Sequence, residues 1–153
     1  MSSTITSLKD VFVDAVNELL PMFGLESEFL CEMPESALLS KEPVNILLGL
    51  TCGLKGSIVL QLTKDASFKI VSAMMGGMEI TELDMVAKSA LGEFTNMLGG
   101  TALGKLNSEV FIDISPPTLA VGENIFLSIS RVPAKKICFK FGDTEFNISY
   151  CIE

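Results

Sequence analysis

The sequence has no histidine in 153 residues, and that absence removes more chemistry than any other feature of its composition. No Ser–His or Cys–His nucleophile pair can form within the chain. No imidazole can bind a metal or take a proton near neutral pH. Catalysis would have to use carboxylates, amides, hydroxyls, thiols or groups brought by a partner. Positive charge is also scarce, with 11 Lys and Arg against 19 Asp and Glu for a net charge of −8. Such a surface repels phosphate backbones and anionic membranes, so neither nucleic acid nor a membrane is an expected partner. The four cysteines, Cys31, Cys52, Cys138 and Cys151, contain no C-x-x-C pair. Without histidine they complete no zinc set, so no metal site is expected and the thiols read as buried and free. Met1–Asp10 is polar and lacks the apolar segment of a signal sequence. The longest apolar stretch, Val44–Leu62, is broken by Gly53, Lys55 and Gly56, which makes it a hairpin and not a membrane span. These features together place the protein in a reducing cytoplasm.

What is present is enough apolar material, 48% of residues, to bury one core. The length fits a single domain over residues 1–153. Leu8, Val11, Phe12, Ala15, Val16, Leu19, Leu20 and Phe23 recur at helical spacing. Ser7 or Thr6 can cap this helix, Pro21 weakens its last turn and Gly24 stops it. Glu26–Lys41 reads as an irregular strand and a loop. Val44–Leu50 and Ser57–Leu62 form a hairpin around a turn at Thr51–Gly56. Lys64–Met75 is a helix ending at Gly76-Gly77. A second helix is predicted from Thr81, with Glu82 and Asp84 in its first turn, to about Leu106. Strands follow at 112–114, 118–121, 125–132, 137–141 and 146–152. Gly122-Glu123-Asn124 turns one pair and Gly142–Glu145, a solvated hairpin tip, turns the last. Met74, Met75 and Met78 read as core and turn packing. The order predicts an α+β, two-layer α/β sandwich, a mixed β-sheet with helices packed on one face.

The long helix has an unusual face. At about 100° per residue, Ser89, Glu93, Asn96 and Gly100 fall in one narrow stripe, while Ala87, Leu91, Phe94, Leu98 and Ala102 face the core. From Ser89 to Gly104 the only charge is Glu93, and Gly92, Gly99, Gly100 and Gly104 interrupt the helix. Interior glycines cost about 0.5–1 kcal/mol each, a cost tolerated where something must come close to the backbone. Spacing alone leaves two readings open: internal helix packing beside a casually exposed Glu–Asn pair, or a face for a partner protein. The first helix carries a weak echo, Asp10-x3-Asp14-x2-Asn17, also followed by a hairpin. It suggests a helix–hairpin duplication. Asp14 is a methylene shorter than Glu and Pro21 stands nearby, so Asp14 and Asn17 read as a solvated face and not as a second active site.

Ile70-Val71-Ser72-Ala73-Met74-Met75-Gly76-Gly77-Met78-Glu79 and Ser89-Ala90-Leu91-Gly92-Glu93-Phe94-Thr95-Asn96-Met97 resemble the CheC/CheX/FliY family of chemotaxis phosphatases. So does Asp113-Ile114-Ser115-Pro116-Pro117-Thr118. The family motif is an acidic or seryl residue, three residues, Glu, two residues, Asn, and a proline some twenty residues on. Ser89, Glu93 and Asn96 match it. Pro116 or Pro117 supplies the proline, a few residues closer than the usual family spacing. The resemblance is strongest from Ala66 to Val121. It implies a CheC-like fold, a homodimer, and a phosphatase acting on the phospho-aspartate of a CheY-like response regulator. In that reading Asn96 holds the attacking water and Glu93 pairs with the regulator's active-site lysine. Ser89, Gly92, Gly99 and Gly100 would receive the partner. No cofactor of the chain's own is implied, since Mg²⁺ sits on the regulator. The alternative is a non-catalytic module that sequesters or scaffolds a receiver domain. A small-ligand sensor would need a convergent polar pocket that the sequence does not offer.

Overall fold

The structure, a computed structural model, describes residues 7–35, 38–106, 112–123, 126–130 and 133–152. Helix α1 (Leu8–Met22) buries Val11, Phe12, Ala15, Val16, Leu19 and Leu20, the stripe read from the sequence. Ser7 caps it: its Oγ accepts from the Asp10 N–H at 3.1 Å, satisfying one of the donors a helix start leaves unpaired. Thr6, the other candidate cap, lies outside the described residues. Pro21 fits within the last turn, and Gly24 at φ +75° ends the helix.

Strand β1 (Glu28–Glu35) is followed by the short β2 (Leu38–Ser40) and by the hairpin of β3 (Val44–Cys52) and β4 (Leu54–Leu62). The hairpin is tighter than the sequence suggested. Its ladder continues to Cys52 opposite Leu54, so Gly53 at φ +79° makes the reversal and most of Thr51–Gly56 is strand. A left-handed glycine needs no longer loop. Helix α2 (Lys64–Met74) is capped by Thr63 and closed by Gly76 and Gly77, where the Gly77 N–H donates to the Ser72 carbonyl at 2.8 Å. Helix α3 (Met85–Gly104) starts four residues later than expected. Asp84 precedes it as the cap, its Oδ1 accepting from the Ala87 N–H at 2.8 Å, so Glu82 and Asp84 are not in the first turn. A carboxylate that takes an N–H from three residues on marks a helix boundary.

The remaining strands are β5 (Asp113–Ile114), β6 (Thr118–Val121), β7 (Leu127–Ser130), β8 (Ala134–Phe141) and β9 (Thr144–Ile152). Asn124 of the expected turn, and Ile125 and Val132 of the expected strand, lie outside the described residues. The main sheet runs β1-β8-β9-β4-β3-β5, with β6 also on β3, and β2 pairs with β7 in a separate ribbon. The α+β sandwich is as expected. Each strand pairing among the described residues is antiparallel, whereas a mixed sheet in the strict sense needs a parallel pair.

One sheet face, including Ile46, Leu48, Ile58, Leu60, Phe139 and Ile148, joins all three helices in a single core. The other face buries a polar row of Asn45, Gln61 and Ser149, and a small cluster of Val59, Ala134 and Cys151 beside Leu47 and Ile129. The elements repeat about the central β4–β9 pair. Helices α1 and α3 pack together, hairpins β3–β4 and β8–β9 meet there, and β1 flanks β8 as β6 flanks β3. Phe23 touches Phe94 while Glu18 pairs with Lys105 at 2.7 Å, so the two helices run antiparallel. This is the helix–hairpin duplication that the sequence echo suggested.

Three smaller expectations change. Cys138 and Cys151 are buried, but Cys31 and Cys52 are exposed, because one lies on an edge strand and the other at a hairpin tip. Met74 and Met75 pack on the core, whereas Met78 is exposed after the double-glycine turn. Asp143, at the solvated hairpin tip, pairs with Lys69 at 2.8 Å. Among the described residues no helix is long and apolar enough to cross a membrane.

Two buried acids tie stability to alkaline pH. Burial, then the neighbouring Cys31, raises the Cys138 thiol from 9.0 to about 11. Burial, then its hydrogen bond to Glu32, raises the Tyr150 hydroxyl further. Both are neutral acids favoured by the fold, so their contribution is fully present below their unfolded pKa values and is lost as pH rises through the folded ones. The urea midpoint should be flat from about pH 6 to 8 and fall from about pH 9 upward. Cys138→Ala should remove part of that fall.

Candidate functional site

The sequence-predicted face of α3 is assembled as expected. Ala87, Leu91, Phe94, Leu98 and Ala102 are buried, as is Thr95, whose Oγ1 donates to the Leu91 carbonyl at 2.8 Å. Ser89, Glu93, Asn96 and Gly100 are exposed on the outward side. Two of the four glycines lie on the border between these arcs. Gly92 and Gly99 are seven residues apart, so they share one line along the helix. A Cβ on Gly92 would stand 3.3 Å from Pro117 Cγ and 3.7 Å from Leu119 Cδ1. A Cβ on Gly99 would stand 2.6 Å from Leu48 Cδ1. Gly99 is therefore a packing residue buried against β3 and not a surface for a partner, which corrects its assignment. Gly92 is buried too, at the floor of the site, and acts by admitting Pro117. Gly100 has nothing within 4 Å of the Cβ position and leaves open backbone beside Asn96.

The strand-side wall is fixed by Ser115. Its N–H donates to the Gly49 carbonyl at 2.8 Å, and its Oγ accepts from the Gly49 N–H at 2.8 Å. This anchors the segment between β5 and β6 to β3 and holds Pro117, the nearer of the two candidate prolines, against Gly92. The result is an open cleft of 450 Å³ lined by Met85, Lys88, Ser89, Gly92, Glu93, Asn96, Pro117 and Leu119. Lys88, Met85 and Leu119 were missed in the sequence. Met85 precedes Ser89 by four residues, so helical spacing carried a signal for it, whereas Lys88 lies about 100° round the helix from Ser89 and off the stripe. Leu119 enters only through the strand wall.

Among the described residues, Glu93 and Lys88 form no ion pair, and the Asn96 carboxamide has no hydrogen-bond partner. The site thus presents an acceptor, a donor pair, a carboxylate and an ammonium, all unspent, on a helix fixed by its buried side. No group of three or more Cys, Asp or Glu among the described residues is placed to hold a metal ion. On α1, Asp14 and Asn17 are exposed, and Asp10 is held below the usual carboxylate range by Ser7 and then Lys9. That face is exposed, as the face of Glu93 and Asn96 is.

The packed Gly99 and the exposed Gly100 should respond oppositely to alanine. Gly100→Ala should raise stability by about 0.5–1 kcal/mol, since a free helix-interior position gains propensity. Gly99→Ala should lower it by about 1–3 kcal/mol, because Leu48 must move in a packed core. Urea denaturation of the two variants reads both signs.

Comparison with known proteins adds to this geometry. The profile of the family described as chemotaxis phosphatase CheX matches residues 44–141. The CheY-P phosphatase CheX of Thermotoga maritima is 34% identical over 108 residues, 70% of either chain. The crystal structure of a chemotaxis protein CheX from Desulfovibrio desulfuricans superposes with a TM-score of 0.82 at 27% identity, over 95% of this chain and 99% of that one. A CheX–CheY–BeF₃–Mg²⁺ complex from Borrelia burgdorferi contains the same fold, with a TM-score of 0.70 at 20% identity over 95% of each chain.

Proposed function

The chain belongs to the chemotaxis phosphatase CheX family, and on that premise we propose that it hydrolyses the aspartyl phosphate of a CheY-like response regulator. The observation that carries the reading is the unpaired carboxamide of Asn96, exposed one turn beyond the unpaired carboxylate of Glu93 on a rigid helix. An aspartyl phosphate is an acyl phosphate whose bond is labile once an in-line water is ordered. Phosphoryl transfer asks a catalyst mainly for positioning and charge stabilisation. A carboxamide suits the first task. Its oxygen accepts from the water and its nitrogen donates to a phosphoryl oxygen.

Glu93 is the docking contact. A carboxylate at this position pairs with a cationic side chain beside the phosphoryl group and sets the helix in register. It need not take a proton. Mg²⁺ belongs to the receiver in this reading, and the Borrelia complex contains CheX, CheY, BeF₃ and Mg²⁺ together. The ion's place is to neutralise phosphoryl charge. Ser89 and Gly100 leave room at either end of the stripe. No phosphorylated intermediate forms on this chain. The same proposal includes a cytoplasmic location, in keeping with four free thiols, a homodimer, and a single functional unit over residues 1–153.

Release of phosphate from phosphorylated CheY tests this directly. Asn96→Ala should lower kcat by about 10²–10³, the usual effect of removing one positioned donor. It should still bind receiver carrying beryllium fluoride and Mg²⁺. Glu93→Ala should lower kcat/KM by about 10–100-fold, the worth of a charged hydrogen bond. Equal turnover by wild type and Asn96→Ala would leave the scaffold reading in its place.

Lys88 adds a further expectation. A Mg²⁺ site is built from carboxylates, so the rim of the receiver site is acidic and faces this unpaired ammonium. Lys88→Glu should raise KM several-fold or more at low salt, with the difference shrinking as salt rises, and change kcat far less.

A further inference from the structure

Two of the four cysteines meet across the sheet. Cys31 on β1 stands in register opposite Cys138 on β8. The register depends on a bulge. Pairing shifts between Phe29 and Cys31, so Leu30 is the extra residue and sulfur stands opposite sulfur. Directly paired residues on antiparallel strands have Cα atoms about 4.5–5.5 Å apart, with side chains on the same face. That separation lies inside the roughly 4.4–6.8 Å a disulfide spans. The two sulfurs differ in access: Cys31 is exposed on the outermost strand, whereas Cys138 is 6% exposed.

We propose that Cys31 and Cys138 form a peroxide-responsive thiol pair, which closes to a disulfide fastening edge strand β1 to β8. Cys31 meets hydrogen peroxide first. Its sulfur takes one peroxide oxygen, the O–O bond breaks, and the other oxygen leaves as water carrying the thiol proton, giving a sulfenic acid. The Cys138 sulfur then attacks the Cys31 sulfur. The S–S bond forms, the S–O bond breaks, and the hydroxyl leaves as water with the Cys138 proton. Two thiols and one peroxide become one disulfide and two waters. Burial keeps Cys138 protonated, which protects it from peroxide on its own and fixes the order of events. Exchange with an external dithiol reverses the bond.

The consequence is local to β1. Among the described residues that strand has one neighbour in the sheet, β8, and no strand on its other edge. It carries Glu32, whose carboxylate accepts from the Tyr150 hydroxyl at 2.7 Å. A covalent tie at Cys31 holds the strand, and this contact with it, against fraying. Nothing in the inference depends on the phosphatase reading, since the pair lies on the strands at the far end of the sheet from β3, β5 and β6.

The test treats the full chain with a small excess of hydrogen peroxide, enough for two oxidations of one thiol, blocks remaining thiols by alkylation, and maps the peptides by mass spectrometry. A peptide linking Cys31 to Cys138 is expected, lost on treatment with dithiothreitol, with Cys52 unlinked and the thermal midpoint raised in the oxidised form. Cys31→Ser, at an exposed position, should leave Cys138 a free thiol after the same treatment. Cys138→Ser should let Cys31 pass on to sulfinic acid. Cys31 of the wild type reaching sulfinic acid or linking two chains while Cys138 stays a thiol would overturn the proposal. So would oxidation of Cys138 to the same extent in Cys31→Ser.

Discussion

The approach of α3 to the sheet at Gly99 sets the rotation of that helix, and the site depends on it. A methyl group there would stand 2.6 Å from Leu48 Cδ1, deep in the core. One line of the helix is thereby pressed to β3, and the other arcs are fixed by the helical repeat. Gly92, two turns earlier on the same line, lets Pro117 and Leu119 close in from the strand side. The two glycines have no side chain that reaches a ligand. Their contribution is to bring the sheet alongside the stripe of Ser89, Glu93 and Asn96, so that a flat helix face becomes one wall of a cleft.

The energetic balance of α3 is consistent with this. Its glycines each cost about 0.5–1 kcal/mol in helix propensity. Burial of Leu91, Phe94 and Leu98 offsets that, at about 1.5–3 kcal/mol for each large apolar side chain. Stability comes from one side of the helix, and the other is free to keep its polar groups unpaired. An exposed carboxylate and carboxamide without partners contribute nothing to the fold, and this is why they can be spent on another molecule.

Much of this was legible from the residues. The apolar stripes of α1 and α3, the hairpins and the glycine stops follow from short-range rules that a sequence carries: period, capping chemistry and turn residues. The errors share one cause. The start of α3 moved because Asp84 uses its side chain to take the Ala87 N–H, and a capping residue and a first-turn acid look alike until the backbone is placed. Gly53 reversed the hairpin where a longer turn was read, because one positive φ suffices. All four thiols read as buried, but position in the sheet, an edge and a tip, leaves Cys31 and Cys52 exposed.

The sequence by itself determined the elements and the face: which side of α3 is apolar, and that Glu93 and Asn96 lie together on the other. It did so because a helix has a fixed angular step, so neighbours on its surface follow from spacing. Tertiary structure alone decided which glycines are open and which are packed. Gly92, Gly99 and Gly100 are identical letters, but one meets a proline, one meets Leu48 and one meets nothing within 4 Å. It also decided that Lys88 and Leu119 border the site, and that Cys31 faces Cys138. Such facts rest on distances between segments far apart in the chain, set by strand register and by how closely one layer approaches the other.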